Sequence, residues 1–227
     1  MSIFQTVQTA CPSCQASVPF ELVHSVNAVR RPDLRTAILD RSFQRKACPS
    51  CGHDFRMAPE FTYLDVKRKQ FFAVWPASKL GDWQQLEARA QATFDKGFGP
   101  GTDGHELAQG MQARLVFGWA GLNEKLVAAE AGIDDVTLEL AKVMVMRSLD
   151  QLKVGKDHEF RLLGADAEQM ALGWLRTSTE DLSEEFNVPR DLLAEIEAQP
   201  ADWQALREQI AGRMFVDLRR PLFAKAA

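Results

Sequence analysis

At 227 residues, with 46% hydrophobic and 26% charged side chains, the chain can bury a sizeable core, and it has no Gly, Pro or Ser run of the kind that keeps a segment disordered. Domains cluster at roughly 100 to 150 residues, so this length favours two compact units, or one with an appendage. The formal charge of -4 is unevenly spread: residues 1–77 hold 10 Lys and Arg against 6 Asp and Glu, and residues 78–227 hold 17 against 25, which gives a basic front and an acidic back.

No apolar stretch approaches the roughly 20 residues that a membrane helix needs, and residues 1–14 lack both a basic and an apolar leader region. A cytoplasmic protein without a membrane contact is therefore expected. In a reducing compartment, clustered cysteine pairs read as metal ligands before disulfides.

Taken in chain order, Phe4 to Thr9 reads as a strand, and Val18, Phe20, Leu22, His24 and Val26 alternate with a period of two, as a second strand would. His24 falls on the apolar face of that pattern and is expected in the core. Pro32 and Asp33 start a short helix carrying Leu34 and Ile38 on one side. Glu60 to Val66 and Gln70 to Trp75 form a predicted hairpin with Lys67, Arg68 and Lys69 at its tip, and Pro76 marks a boundary.

From Asp82 the period becomes helical. Trp83, Leu86 and Ala90 open one helix, and Leu107, Met111, Leu115, Trp119, Leu122 and Leu126 trace an apolar stripe that predicts another of more than five turns. Gly132 stops that helix, and Asp134 and Asp135 start the next, with Val136, Leu140, Val143 and Leu149 on one side. His158 to Leu163 and Gln169 to Leu175 read as a hairpin, and helical patterns follow Pro189 and Pro200. The fold class is thus α+β: a zinc-ribbon-like β unit with an inserted helix over 1–77, then a mostly α-helical unit with a β-hairpin over 78–227.

The four cysteines fall in two identical knuckles, Cys11-Pro-Ser-Cys14 and Cys48-Pro-Ser-Cys51, with 33 residues between them. Two residues between ligands let both sulfurs of a pair meet one ion, Pro12 and Pro49 pre-set the turn, and Gly52 permits a left-handed close. Four thiolates complete a tetrahedral shell suited to one structural Zn2+ per chain, although iron accepts the same sulfurs. Catalytic zinc keeps an open position, and a zinc deaminase wants a His-x-Glu partner that is absent here. His53, next to Cys51, is placed outside the site.

These knuckles, together with Phe20, Ser25-Val26-Asn27-Ala28, Pro32-Asp33-Leu34 and Tyr63-Leu64-Asp65, resemble the CpXC family of bacterial proteins. The resemblance continues through Arg114-Leu-Val-Phe-Gly118, Asn123-Glu-Lys125 and Gly132-Ile-Asp-Asp135, well over half of the chain. Gln15 stands where a glycine commonly follows the first pair, and Arg41 where a turn glycine is expected. The resemblance implies a zinc-ribbon-like N-terminal part and no mechanism, the family being largely uncharacterised.

Three functional classes follow. The first is a non-enzymatic adaptor or regulator with a protein partner, suggested by a closed metal site and no catalytic motif. The second is nucleic-acid contact by Arg30, Arg31, Arg35, Arg45, Lys46, Lys67, Arg68 and Lys69, although four thiolates around one divalent ion take two charges off that unit. Leu182, Ser183, Phe186, Asn187, Val188, Leu193 and Ile196 have helix-turn-helix spacing, but with Asp191 and Glu195 facing outward that segment is expected to be a packing helix pair. The third is an enzyme, for which Asp134 with Asp135 and Glu184 with Glu185 are the carboxylate pairs; adjacent helical carboxylates do not share a face, and the first pair suits a helix cap. Met144, Met146, Met170, Trp75, Trp83 and Trp119 are expected as core.

Overall fold

The computed structural model describes residues 2–153, 155, 157–212 and 214–222. Each cysteine knuckle is the tip of a two-stranded ladder. Strands β1 (Ile3–Ala10) and β2 (Ser17–Asn27) pair antiparallel with Ala10 opposite Ser17, which places the first knuckle at the turn. Strands β3 (Arg45–Ala47) and β4 (Asp54–Arg56) do the same around the second.

Val18 and Phe20 face a small cluster with Cys11, Cys48 and Phe55, whereas Val23 and Val26, on the other side of β2, face the main core. The switch breaks the expected alternation at His24. Ile3 pairs with Ser25 and Phe4 with Val23, so His24 is the extra residue of a β-bulge. It is exposed, not core, and its Nε2 meets Gln5 Oε1 at 2.9 Å.

Helix α1 (Pro32–Leu39) follows, with Pro at its start and Leu34 and Ile38 buried. Strands β5 (Phe61–Asp65) and β6 (Gln70–Trp75) form the predicted hairpin. Helix α2 (Trp83–Phe98) buries Trp83 and Ala90. Strand β7 (Gln112–Phe117) then pairs parallel with β6, completing a five-stranded sheet in the order β1-β2-β5-β6-β7, with strands from both sides of residue 77.

The long helix expected from Leu107 to Leu126 is instead a 3-10 turn (Glu106–Ala108), a strand and a helix. Leu107 is 49% exposed, Leu115 lies in β7, and Trp119, Leu122 and Leu126 lie in α3 (Gly118–Glu130). Gly118, at φ +76°, makes the corner. The end of β7 is buried on both faces, so Leu115, Val116 and Phe117 all go inside, and their spacing happens to continue into the helix.

Ten of the thirteen residues of α3 are buried, because it packs on the five-stranded sheet on one side and on a second sheet on the other. Gly132, at φ +64°, ends the turn after α3, and Asp134 caps α4 (Asp135–Arg147) by accepting from Thr137 N at 2.8 Å. The second sheet contains β8 (His158–Ala165), β9 (Gln169–Arg176) and β10 (Leu182–Pro189), all antiparallel, in the order β10-β9-β8. The predicted hairpin is β8–β9. The segment with helix-turn-helix spacing is instead β10 followed by α5 (Asp191–Ala198): Phe186 and Val188 turn partly inward with a period of two and the residues between them face solvent.

Helix α6 (Pro200–Ile210) begins at its proline, and a short α7 (Arg219–Leu222) closes the described chain. The architecture is mixed α+β, with seven helices and three sheets among the described residues. No helix among them is long and apolar enough to cross a membrane. Met170 is fully buried, but Met144 is 37% exposed and does not serve as core.

Candidate metal centre and the buried charge network

The two knuckles have the same hydrogen bonds. Cys11 O accepts from Gln15 N and Cys48 O from Gly52 N, while Cys11 N donates to Ala16 O and Cys48 N to His53 O. In each, the residue after the second cysteine is left-handed: Gln15 at φ +60° and Gly52 at φ +74°. Arg41 also sits at φ +64°, so both positions where glycine was expected have the backbone that glycine favours.

The ladders bring the knuckles together so that the Sγ atoms of Cys11, Cys14, Cys48 and Cys51 all lie within 4.8 Å of one another. Cys11 Sγ to Cys51 Sγ and Cys14 Sγ to Cys48 Sγ are both 3.7 Å. That is far beyond the roughly 2.05 Å of a disulfide. It matches the edge of about 3.8 Å for a tetrahedron with 2.3 Å zinc–sulfur bonds.

The thiols also need a counter-charge. The Ala16 N–H draws Cys14 down, but the Cys51 thiol, burial and the other two thiols outweigh it and push Cys14 up to about 12. Burial pushes Cys48 up, yet the N–H groups of Cys51 and Ser50, with the neighbouring thiols, bring it down to about 6. Four sulfurs this close cannot all ionise alone, and a divalent ion would supply the missing positive charge. The donor set fits a metal ion held by Cys11, Cys14, Cys48 and Cys51. It leaves no position for a substrate in a four-coordinate shell.

The basic residues of the front are largely engaged. Arg31 pairs with Asp33 at 2.6 Å, Arg45 with Asp54 at 2.8 Å and Arg68 with Asp65 at 3.0 Å. Arg35 is buried, and its Nη2 meets Glu130 at 2.7 Å. Lys46 Nζ donates to Pro19 O and Lys69 Nζ to Leu107 O, and Arg30 and Lys67 are exposed. Glu184 and Glu185, on β10, are exposed.

A second cluster lies where α3, α4 and β8 meet. Glu124, Asp135, Glu139, Glu159 and Asp217 face Arg114, Lys125, Lys142, Arg161 and Arg219, five charges of each sign. All but Arg114 are buried. Lys142 Nζ sits 3.0 Å from Glu124 and 2.8 Å from Glu139, and Arg161 Nη1 is 2.7 Å from Glu124 and 3.0 Å from Asp217. Asp135 is not a cap: it turns inward to Lys125 at 3.0 Å and takes the Arg114 guanidinium on both oxygens.

Burial pushes Glu124 up, but Lys142, Arg161 and Lys125 pull harder and bring it down to about 2. Burial likewise opposes the ionisation of Asp135 and Asp217, and their cationic neighbours hold both below the ordinary carboxylate range. Glu139 goes the other way: burial raises it and Lys142 only partly compensates, with Glu124 and Asp217 adding repulsion. Sequence reasoning missed this network. Its signal was Asn123-Glu-Lys125 and Glu139 with Lys142, charges set in helices whose other positions are apolar almost all round.

A mixed α+β fold whose first two β-ladders bring four cysteines into one cluster defines a protein with a candidate metal-ion site. The sequence pattern of the family described as CpXC protein matches residues 9–142, more than half of the chain, and the protein belongs to that family. No curated protein and no solved structure matches the chain.

Proposed function

We propose that the four-cysteine cluster holds one structural Zn2+ in a zinc-ribbon-like front unit and that the protein acts by binding a protein partner, without catalysis, in the cytoplasm. The observation that carries the reading is the closed donor set: four sulfurs within 4.8 Å of one another, two of their pairs at 3.7 Å, can fill every position of a four-coordinate ion. The matched charges of the interior network support the same view, since each buried carboxylate there is tied to at least one cation.

Nucleic-acid binding by the basic front ranks second, because Arg31, Arg35, Arg45 and Arg68 are each paired to a carboxylate and present less net charge to a phosphate than the sequence suggests. The test is a native pull-down of the full-length tagged protein, with and without nuclease, alongside metal analysis. One zinc per chain and a stoichiometric, nuclease-resistant protein partner are the expected result. Nuclease-sensitive recovery of nucleic acid would overturn the adaptor reading.

A further inference from the structure

A groove of about 540 Å³ runs between the knuckles and the turn joining β9 to β10, lined by Pro12 and His53 on one side and by Thr177 to Glu180 on the other. It adjoins a second cavity of about 410 Å³, with which it shares Ala77, Thr177 and Ser178. Sites for small molecules commonly span about 300 to 1,000 Å³.

Arg56 and Thr177, each with a side-chain atom that lacks a partner among the described residues, line this groove together with the start of α3. Arg56, whose side chain is 6% exposed, donates from Nε to Phe43 O at 2.9 Å and from Nη1 to Glu180 at 3.1 Å, and its guanidinium lies 4.0 Å over the Trp119 ring. Its Nη2 has no partner among the described residues. The buried Thr177 Oγ1 also has none. The third group is the start of α3, where Gly118 and Trp119 line the groove and no side chain caps the helix. The first N–H groups of a helix lack partners of their own, and together they act as about half a positive charge.

The other wall charges are already matched. Arg45 pairs with Asp54, Glu180 with Arg56, and Glu159 with Arg161 and Arg219. What is left over is the helix start and two unused side-chain groups, a combination that suits a single negative charge with two acceptor oxygens. A doubly charged phosphate would face the carboxylates of Glu159 and Glu180 with too little positive charge to offset them. Glu180 itself sits at φ +62°, a backbone cost accepted where it holds Arg56 at the groove. Met57, Pro59 and, in the adjoining cavity, Leu80 offer apolar contact.

We infer that this groove binds a small organic monocarboxylate, its oxygens taken by Arg56 Nη2, Thr177 Oγ1 and the N–H groups at the start of α3. The site is independent of the metal-held partner reading and stands or falls by itself.

The test uses the full-length, zinc-loaded protein and the Trp119 indole N–H resonance, assigned with Trp119→Phe, since that N–H donates to Met57 O at 2.8 Å beneath Arg56. N-acetyl-leucine as the free acid is titrated against its uncharged amide and against inorganic phosphate. The acid should give a saturable shift, the amide should bind at least tenfold more weakly, phosphate should leave the resonance in place, and Thr177→Val should weaken the acid several-fold. The inference is overturned if the acid gives no saturable shift, if the amide binds as well, if phosphate binds more tightly, or if Thr177→Val changes nothing.

Discussion

Replacing Lys142 by Met keeps the aliphatic stem and removes one cation from the interior network. Its ammonium, fully buried, lies 3.0 Å from Glu124 and 2.8 Å from Glu139, both also fully buried. In the variant Glu124 still has Arg161 and the Leu162 N–H, but among the described residues Glu139 keeps only Lys125 at 3.7 Å and the Leu218 N–H. Breaking a buried pair from one side costs about 3 to 5 kcal/mol, because the other charge stays behind unmatched. Against a total of about 5 to 15 kcal/mol that is at least about a fifth of the stability, and for a chain of this size it corresponds to a fall in Tm of about 6 to 20 °C. Urea unfolding at pH 7 measures it. Glu139 is already raised, and without Lys142 it would be raised further, so protonation should relieve the loss and the gap to wild type should narrow at pH 5. Adding Glu139→Gln to Lys142→Met should recover part of the loss for the same reason. A cost below about 1 kcal/mol, or a double variant no more stable than the single, would show that the cluster is not acting as a set of mutually dependent charges.

Cys48→Ser removes one ligand and should abolish stoichiometric zinc binding and destabilise the β1–β4 region; metal analysis and hydrogen exchange at those strands read it, and one retained zinc with unchanged protection would refute the four-sulfur assignment. Gln15→Gly relaxes a left-handed residue at the position matched by Gly52 and should raise stability by about 0.5 to 1 kcal/mol, or about 1 to 4 °C in Tm, by thermal melting of the zinc-loaded protein. Acid should unfold the protein through Glu124, Asp135 and Asp217, whose folded carboxyls lie below the unfolded range near 4. Their stabilisation is complete above that range and is lost as pH falls through the folded values, on the order of 3 kcal/mol for Glu124 on its way to about 2. Urea melts from pH 6 to pH 3 check the slope, and a Glu124→Gln variant should be less stable but flatter in pH.

The knuckles were legible because ligand geometry dictates spacing, and two identical Cys-Pro-Ser-Cys pairs point to one ion; Gln15, which departs from the expected glycine, takes the left-handed backbone all the same. The α3–α4 pair was legible because Gly132 and Asp134 are local stop and start signals that need no distant partner. The stripe from Leu107 to Leu126 misled for a physical reason. A strand end buried on both faces offers an apolar residue at every position, so any period fits it, and only the corner at Gly118 separates strand from helix. The segment 182–196 misled in the opposite way: Phe186 and Val188 have strand spacing, but their cross-strand partners Leu172 and Met170 lie more than ten residues away in sequence.

The charges were the least legible part, because a sequence window shows a charge and not its partner. Arg161 meets Asp217 and Lys125 donates to Val216 O at 2.8 Å, contacts that span 56 and 91 residues. The same C-terminal stretch threads further: Met214 N and Phe215 N donate to Glu87, and Leu218 N to Glu139. The acidic balance of residues 78–227 therefore means something different from what composition suggests. Five of its 17 cations and five of its 25 anions are consumed in the network, leaving 12 against 20 for the rest. The net charge is unchanged, but the part that a partner meets is more one-sidedly negative than the composition of that region. The front becomes less one-sidedly positive, since the buried Arg35 is paired with Glu130 of the back, whose side chain is 47% exposed, so an ion pair already ties the basic half to the acidic one before either meets a partner.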